Sequence, residues 1–219
     1  MKICTVSHSH IAPRQQSFFM EVAKQGNEVL VIAPGEWRDL RTLNQDIEYP
    51  MGSYHLRTCK HIGGENIYMY RLLGAEDLFN TFNPDWLYVQ AEPGSEMVEE
   101  VIKWKANKSA LFTWENIELR RAECFSFFDM VICGNPDSVN LAKGYLAKVY
   151  HPSVKLLLQV GVDMEHFQAR PGTERAVKVA YIGREANEKG IPYLEMAWPT
   201  SKTLKWVTYN QLPWWYSSV

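Results

Sequence analysis

The run EVLVIA at residues 28–33 constrains the fold more than any other stretch of the chain. After Glu28 its apolar side chains follow one another without alternation, the pattern of a strand covered by helices on both faces of a parallel sheet. A shorter apolar strand at 3–6 precedes it, followed by the polar loop SHSHIAPRQQ and a helix expected over 14–25. Phe18, Phe19, Val22 and Ala23 form the inward face of that helix, and Gly26 and Asn27 end it. Strand, helix and strand in this order open a doubly wound α/β fold.

The same alternation continues. Residues 55–59, 86–89, 110–113, 129–133 and 154–160 read as strands, and 65–82, 95–106 and 136–146 as helices, with Asn83-Pro84-Asp85 breaking the first of these helices. Residues 35–66 carry the weakest pattern. QARPGT at 168–173 has the composition of a linker. The expected organisation is a Rossmann-like N-terminal domain over 1–168, with a doubly wound parallel sheet of six or seven strands, and a second, incomplete Rossmann-like domain over 169–219.

Composition excludes several classes. At 46% hydrophobic and 22% charged the chain is neither disordered nor collagenous. A net charge of −2 and a pI near 6.3 give no reason to expect nucleic acid as a partner. Cys4, Cys59, Cys124 and Cys133 form no C-x-x-C pair and read as reduced core thiols of a cytoplasmic protein. No apolar run reaches the roughly 18 residues of a spanning helix. Eight tryptophans nevertheless leave room for an exposed aromatic patch and for peripheral membrane contact.

The chemistry is expected in loops at the carboxyl ends of strands, where open α/β sheets place ligands. The first loop lacks G-x-G-x-x-G, which argues against a nicotinamide-dependent dehydrogenase, and offers His8, His10, Arg14, Gln15 and Gln16 instead. His10 and Arg14 are candidates for substrate contact; solvated loop side chains are the bland alternative. Trp114, Glu115 and Asn116 end a later strand, with Glu118, Arg120 and Arg121 just beyond. Glu115 is the candidate catalytic carboxylate there, against the plainer roles of capping a helix or pairing with an arginine. Residues 177–195 give a strand, a turn at Gly183, a loop with Arg184 and Lys189, and a helix opening at 191–192. A helix N-terminus beside a guanidinium and an ammonium suits a diphosphate, although strand-to-helix turns are often charged simply because they lie in water.

Two stretches, LLLQVGVDMEHFQARP and VAYIGREANEKGIPYLEMAW, resemble the linker and donor-domain opening of the family 4 glycosyltransferases, enzymes of the two-Rossmann-domain GT-B fold. The first resembles that family's N-G-V-D-x-x-x-F-x-P, with Val160 in place of the asparagine and Gly161, Asp163, Phe167 and Pro171 in step. The second resembles its apolar strand, G-R, K-G and amphipathic helix. The resemblance implies transfer of a sugar from a nucleotide-diphosphate sugar with retention of configuration, to a sugar, lipid-linked or protein acceptor. It implies that Arg184 and Lys189 hold the donor diphosphate, with Gly161, Asp163 and Gly183 among the substrate-binding positions, and that neither metal nor cofactor is needed.

The chain departs from the family in three places. His10-Ile11-Ala12-Pro13-Arg14 replaces its Gly-Gly loop, Trp114-Glu115-Asn116 stands where many members carry a histidine, and its acidic E-x-x-x-x-x-x-x-E motif is not reached within the 219 residues. A truncated donor domain is therefore expected, with association through the incomplete domain. The competing expectation is a non-catalytic acceptor-binding or assembly module of a split or truncated glycosyltransferase.

Overall fold

The computed structural model describes residues 1–37, 52–115, 122–147, 153–158, 167–168, 179–182, 189–199 and 202–204. The chain divides into two compact units, 1–160 and 161–219, beside a boundary at 168/169 expected from linker chemistry.

Unit 1 is built on a seven-stranded sheet. Its strands are β1 (Lys2–Val6), β2 (Glu28–Pro34), β3 (Tyr54–Cys59), β6 (Trp86–Gln90), β7 (Ser109–Thr113), β8 (Met130–Cys133) and β9 (Ser153–Leu156). They lie in the order β3-β2-β1-β6-β7-β8-β9, and every neighbouring pair is parallel. The α/β, Rossmann-like class expected from the sequence is thus present. Two short strands, β4 (His61–Ile62) and β5 (Arg71–Leu72), pair antiparallel outside this sheet.

Alternation along the strands sends side chains into two cores. Val29, Val31, Tyr88, Ala110, Phe112 and Ile132 face one side, where Phe19, Met20 and Ala23 of α1 (Ser17–Lys24) cover them. Leu30, Ile32, Leu87, Val89, Leu111 and Val131 face the other, against α2 (Ala75–Phe82), α3 (Glu96–Val101) and α4 (Pro136–Leu146). Strands with two dry faces need an apolar residue at every position, which is why EVLVIA reads as a continuous run.

Four helix boundaries have local causes. The first helix starts at Ser17 because Pro13–Gln16 winds as a 3-10 turn before it. The helix expected over 65–82 is confined to Ala75–Phe82. Asn66 Oδ1 takes the Tyr68 N–H at 2.9 Å and closes a competing turn, and Gly74 enters the helix with φ 78°, a conformation that interrupts helical winding. Asn83 ends it in the left-handed region, φ 50°, as the Asn-Pro pair predicts. Asn135 caps α4 by accepting the Ser138 N–H at 2.8 Å, with Pro136 in the first turn.

All four cysteines are free and buried, as their apolar surroundings predict. Among the described residues no helix is long and apolar enough to cross a membrane. In unit 2, β10 (Ala180–Ile182) and β11 (Lys202–Leu204) pair in parallel, with α5 (Ile191–Ala197) between them in the chain.

Candidate functional site

The order of the sheet points to one place. The chain runs from β1 outward to β2 and β3, then crosses back to put β6 on the other flank of β1, so the connections beyond β1 and β6 part in opposite directions. Such a switch point leaves a crevice at the carboxyl ends of the two strands, the usual ligand position in open α/β sheets.

On the β1 side the crevice wall is a 3-10 turn, His8–Ile11, capped by Ser7, whose hydroxyl accepts the Ser9 N–H at 3.1 Å. Ser9 Oγ lies 2.9 Å from Ser7 Oγ and accepts from Gln90 Nε2 at 3.2 Å, so the ends of β1 and β6 are tied directly. His10 is 0% exposed, with Nε2 at 2.8 Å from Thr5 Oγ1 and its ring edge-on to Phe19. Its carbonyl accepts from Gln16 Nε2 at 2.5 Å, and Gln16 Oε1 accepts from Tyr54 OH at 2.5 Å. Burial, then the neighbouring His8, depresses His10 to about 3, and burial depresses His8 to about 4. Both rings are therefore neutral near pH 7. His8 packs its ring on Trp37 at 4.8 Å and Tyr70 at 5.4 Å, and its backbone N–H donates to Tyr70 OH at 3.1 Å.

The β6 and β7 side is more open. Trp114 is 39% exposed, with its ring face lying on Gly134, where an added Cβ would come within 2.4 Å of it, and its edge against Phe112. Asn135, which caps α4, also donates from Nδ2 to the Trp114 carbonyl at 3.1 Å. Glu115 donates its N–H to Thr113 Oγ1 at 2.9 Å and accepts at Oε2 from Tyr68 OH, also at 2.9 Å. Tyr68 is itself anchored, since its carbonyl accepts the Glu96 N–H at the start of α3. Glu92, two residues past β6, is partly buried; loss of hydration and then repulsion from Glu115 raise its carboxyl to about 7. Burial first, then Glu115 and Glu92, raise Tyr68 to about 12.

The sequence candidates thus fall in different surroundings. Trp114 and Glu115 stand at the end of β7, partly exposed, whereas His10, expected to touch substrate, lies inside the loop, where it satisfies Thr5 and packs on Phe19. Arg14 belongs to the 3-10 turn, and its side chain lies outside the described residues. In unit 2, Lys189 is exposed immediately before Gly190, which enters α5 with φ 64°. Asn116, Gly161, Asp163, Gly183 and Arg184 lie outside the described residues.

Sequence reasoning passed over Glu92 and Tyr68. The E-P-G triplet after β6 reads as an ordinary turn, and only the strand order reveals that it ends next to the switch point. Tyr68 sits in a segment read as helix, where nothing marks its hydroxyl for Glu115, 47 residues away. Together the crevice presents a phenol, two carboxyls, an amide and a hydroxyl, groups that donate and accept hydrogen bonds. Among the described residues no three His, Cys, Asp or Glu side chains gather as metal ligands. No protein-family model matches the chain, and no curated protein matches it.

Proposed function

We propose that this chain is a retaining glycosyltransferase dependent on a nucleotide-diphosphate sugar, with the acceptor taken at the switch-point crevice of unit 1 and the donor at the loop before α5. The observation that carries the reading is the second β-α-β arrangement, β10-α5-β11, with exposed Lys189 at its helix entry, following a full doubly wound sheet in the same chain. Two Rossmann-like starts in tandem give one surface for each of two substrates, and the G-R…K-G and G-V-D…F…P stretches agree with that division. Arg184 and Lys189 then stabilise the charge that grows on the leaving diphosphate as the glycosidic bond breaks; electrostatic stabilisation of this kind often supplies more of an enzyme's rate enhancement than any other effect. The proposal places the enzyme in the cytoplasm.

The test is transfer by the 219-residue chain from a panel of nucleotide sugars, followed by mass detection of product, with UDP and GDP binding by calorimetry. Arg184→Ala and Lys189→Ala are each expected to lower turnover about 10²–10³-fold and to weaken nucleotide binding. Equal UDP and GDP binding by parent and variants would remove the donor site, and with it this reading.

A further inference from the structure

Among the described residues four buried side-chain polar atoms have no hydrogen-bond partner, and two of them, His8 Nδ1 and His10 Nδ1, belong to the one turn after β1. The other two, Trp104 Nε1 and Ser138 Oγ, lie apart, one beyond α3 and one in the first turn of α4. Buried polar atoms are nearly always paired, so two orphans in a single turn at the switch point need a physical reason.

His10 gives the more definite geometry. It is 0% exposed, and its Nε2 lies 2.8 Å from the hydroxyl of Thr5, which is also 0% exposed. That hydroxyl has one proton to place, and Nε2 is its hydrogen-bond partner among the described residues. If the hydroxyl donates, Nε2 accepts, the proton of the neutral ring sits on Nδ1, and one group is left unpaired. The other tautomer leaves two, the Thr5 proton and the Nδ1 lone pair, so the first is favoured. The nitrogens of an imidazole point away from each other; with Nε2 turned to β1, Nδ1–H faces away from the strand, beyond its carboxyl end. The ring is held in that direction by Phe19, which packs on it edge-on, and by Gln16 Nε2 on the His10 carbonyl.

Because Nδ1 is covered, a partner reaches it only by a shift of the turn. Two bonds close the turn on itself, Ser9 N–H to Ser7 Oγ and Ala12 N–H to the Ser9 carbonyl, while its ties to Tyr70 and Gln90 end on side chains that can follow it. Opening therefore breaks few bonds and gives a partner to an N–H that has none when closed.

We infer that the His8–Ile11 turn opens to admit a ligand oxygen at the carboxyl end of β1, and that His10 Nδ1–H is the donor that binds this oxygen. A sugar hydroxyl and a phosphate oxygen both have the required chemistry, an oxygen that accepts from a neutral N–H. The inference rests on the proposed function for the occupant's being the acceptor substrate, and on Thr5 and His10 for the chemistry.

The experiment is long-range 1H–15N NMR of the histidine rings in the full chain near pH 7, alone and titrated with methyl glucoside, methyl mannoside or inorganic phosphate up to their solubility. His10 should show the Nδ1–H tautomer in the free chain, and its Nδ1 signal should shift and saturate with a glycoside, marking a hydroxyl site, or with phosphate, marking a phosphoryl site. Thr5→Val removes the hydroxyl that sets the tautomer; with circular dichroism unchanged, it should weaken that probe severalfold, on the order of the tenfold that one lost hydrogen bond gives. An Nε2–H tautomer in the parent, an Nδ1 signal that no probe moves, or undiminished affinity in folded Thr5→Val would each overturn the inference. The first two readings need no variant, so a Thr5→Val chain that fails to fold leaves them decisive. UDP and GDP binding in the same samples separates the two readings: intact nucleotide binding with an unresponsive His10 removes only this site, and the reverse removes only the donor assignment.

Discussion

The turn after β1 and the turns after β6 and β7 border the same crevice and are both rich in polar groups, yet they use them in opposite ways. After β1, His10 and Gln16 turn inward and are 0% exposed: His10 Nε2 meets Thr5, and Gln16 joins Tyr54 to the His10 carbonyl, while His8 Nδ1 and His10 Nδ1 are buried with no hydrogen-bond partner among the described residues. After β6 and β7, Trp114 stays 39% exposed and Glu92 and Glu115 partly so. A buried polar atom that has a partner inside the protein, as His10 Nε2 and Gln16 have, is withdrawn from any ligand. Polar composition marks both turns as site candidates; burial divides them into a packed turn and an open one.

The largest effect expected from that division is on the scaffold side. His10→Ala removes a fully buried ring and leaves Thr5 without its partner, which should cost about 2–4 kcal/mol in chemical denaturation. Tyr68→Phe on the open side removes one partly solvated hydrogen bond and should cost roughly 0.5–1 kcal/mol. Comparable losses in the two variants would erase the distinction between the turns.

A smaller effect, about 1–3 kcal/mol, is expected from Gly134→Ala, because the new methyl group would enter the space of the Trp114 ring. If the clamp is what holds the indole, the same substitution in a Trp114→Ala background should cost little, and the double-mutant cycle reads the difference. Additive costs would show that Gly134 serves something other than this ring. Indole fluorescence gives a second view, since an expelled Trp114 should emit further to the red.

The scaffold was easier to read from the sequence than the site. Continuous apolar runs such as 28–33 and the Asn83-Pro84 and Asn135-Pro136 punctuation act over a few residues, so the strands, α4 and the α2 terminus follow from local chemistry. The place of Trp114 and Glu115 at the carboxyl end of β7 was legible because they directly follow an apolar run. Glu92 and Tyr68 were not, because their meaning arises from strand order and from a bond spanning 47 residues. The burial of His10 was not legible for a related reason: nothing in SHSHIAPRQQ tells which histidine meets Thr5.

A further effect, smaller than that of Gly134→Ala, separates the two turns through pH. His8 and His10 titrate at about 4 and 3 when folded, below the ordinary 6.5, so the unfolded chain binds more protons and stability is lost as pH falls below 6.5. Glu92 titrates at about 7 when folded, above the ordinary 4.5, so the folded chain binds more protons and stability is lost as pH rises from 4.5 through 7. The packed turn therefore weakens in acid and the open turn in base, with the combined optimum near pH 7 for these three groups. Glu92→Gln isolates the second effect, since the histidines act equally in both proteins. Partial exposure discounts its size, and the variant should gain roughly 1–2 kcal/mol on the parent between pH 5 and pH 8 in denaturant midpoints. A constant gap across that range would mean that Glu92 is as well hydrated in the folded chain as in the unfolded one, and the open turn would then have no titration to set against that of the packed one.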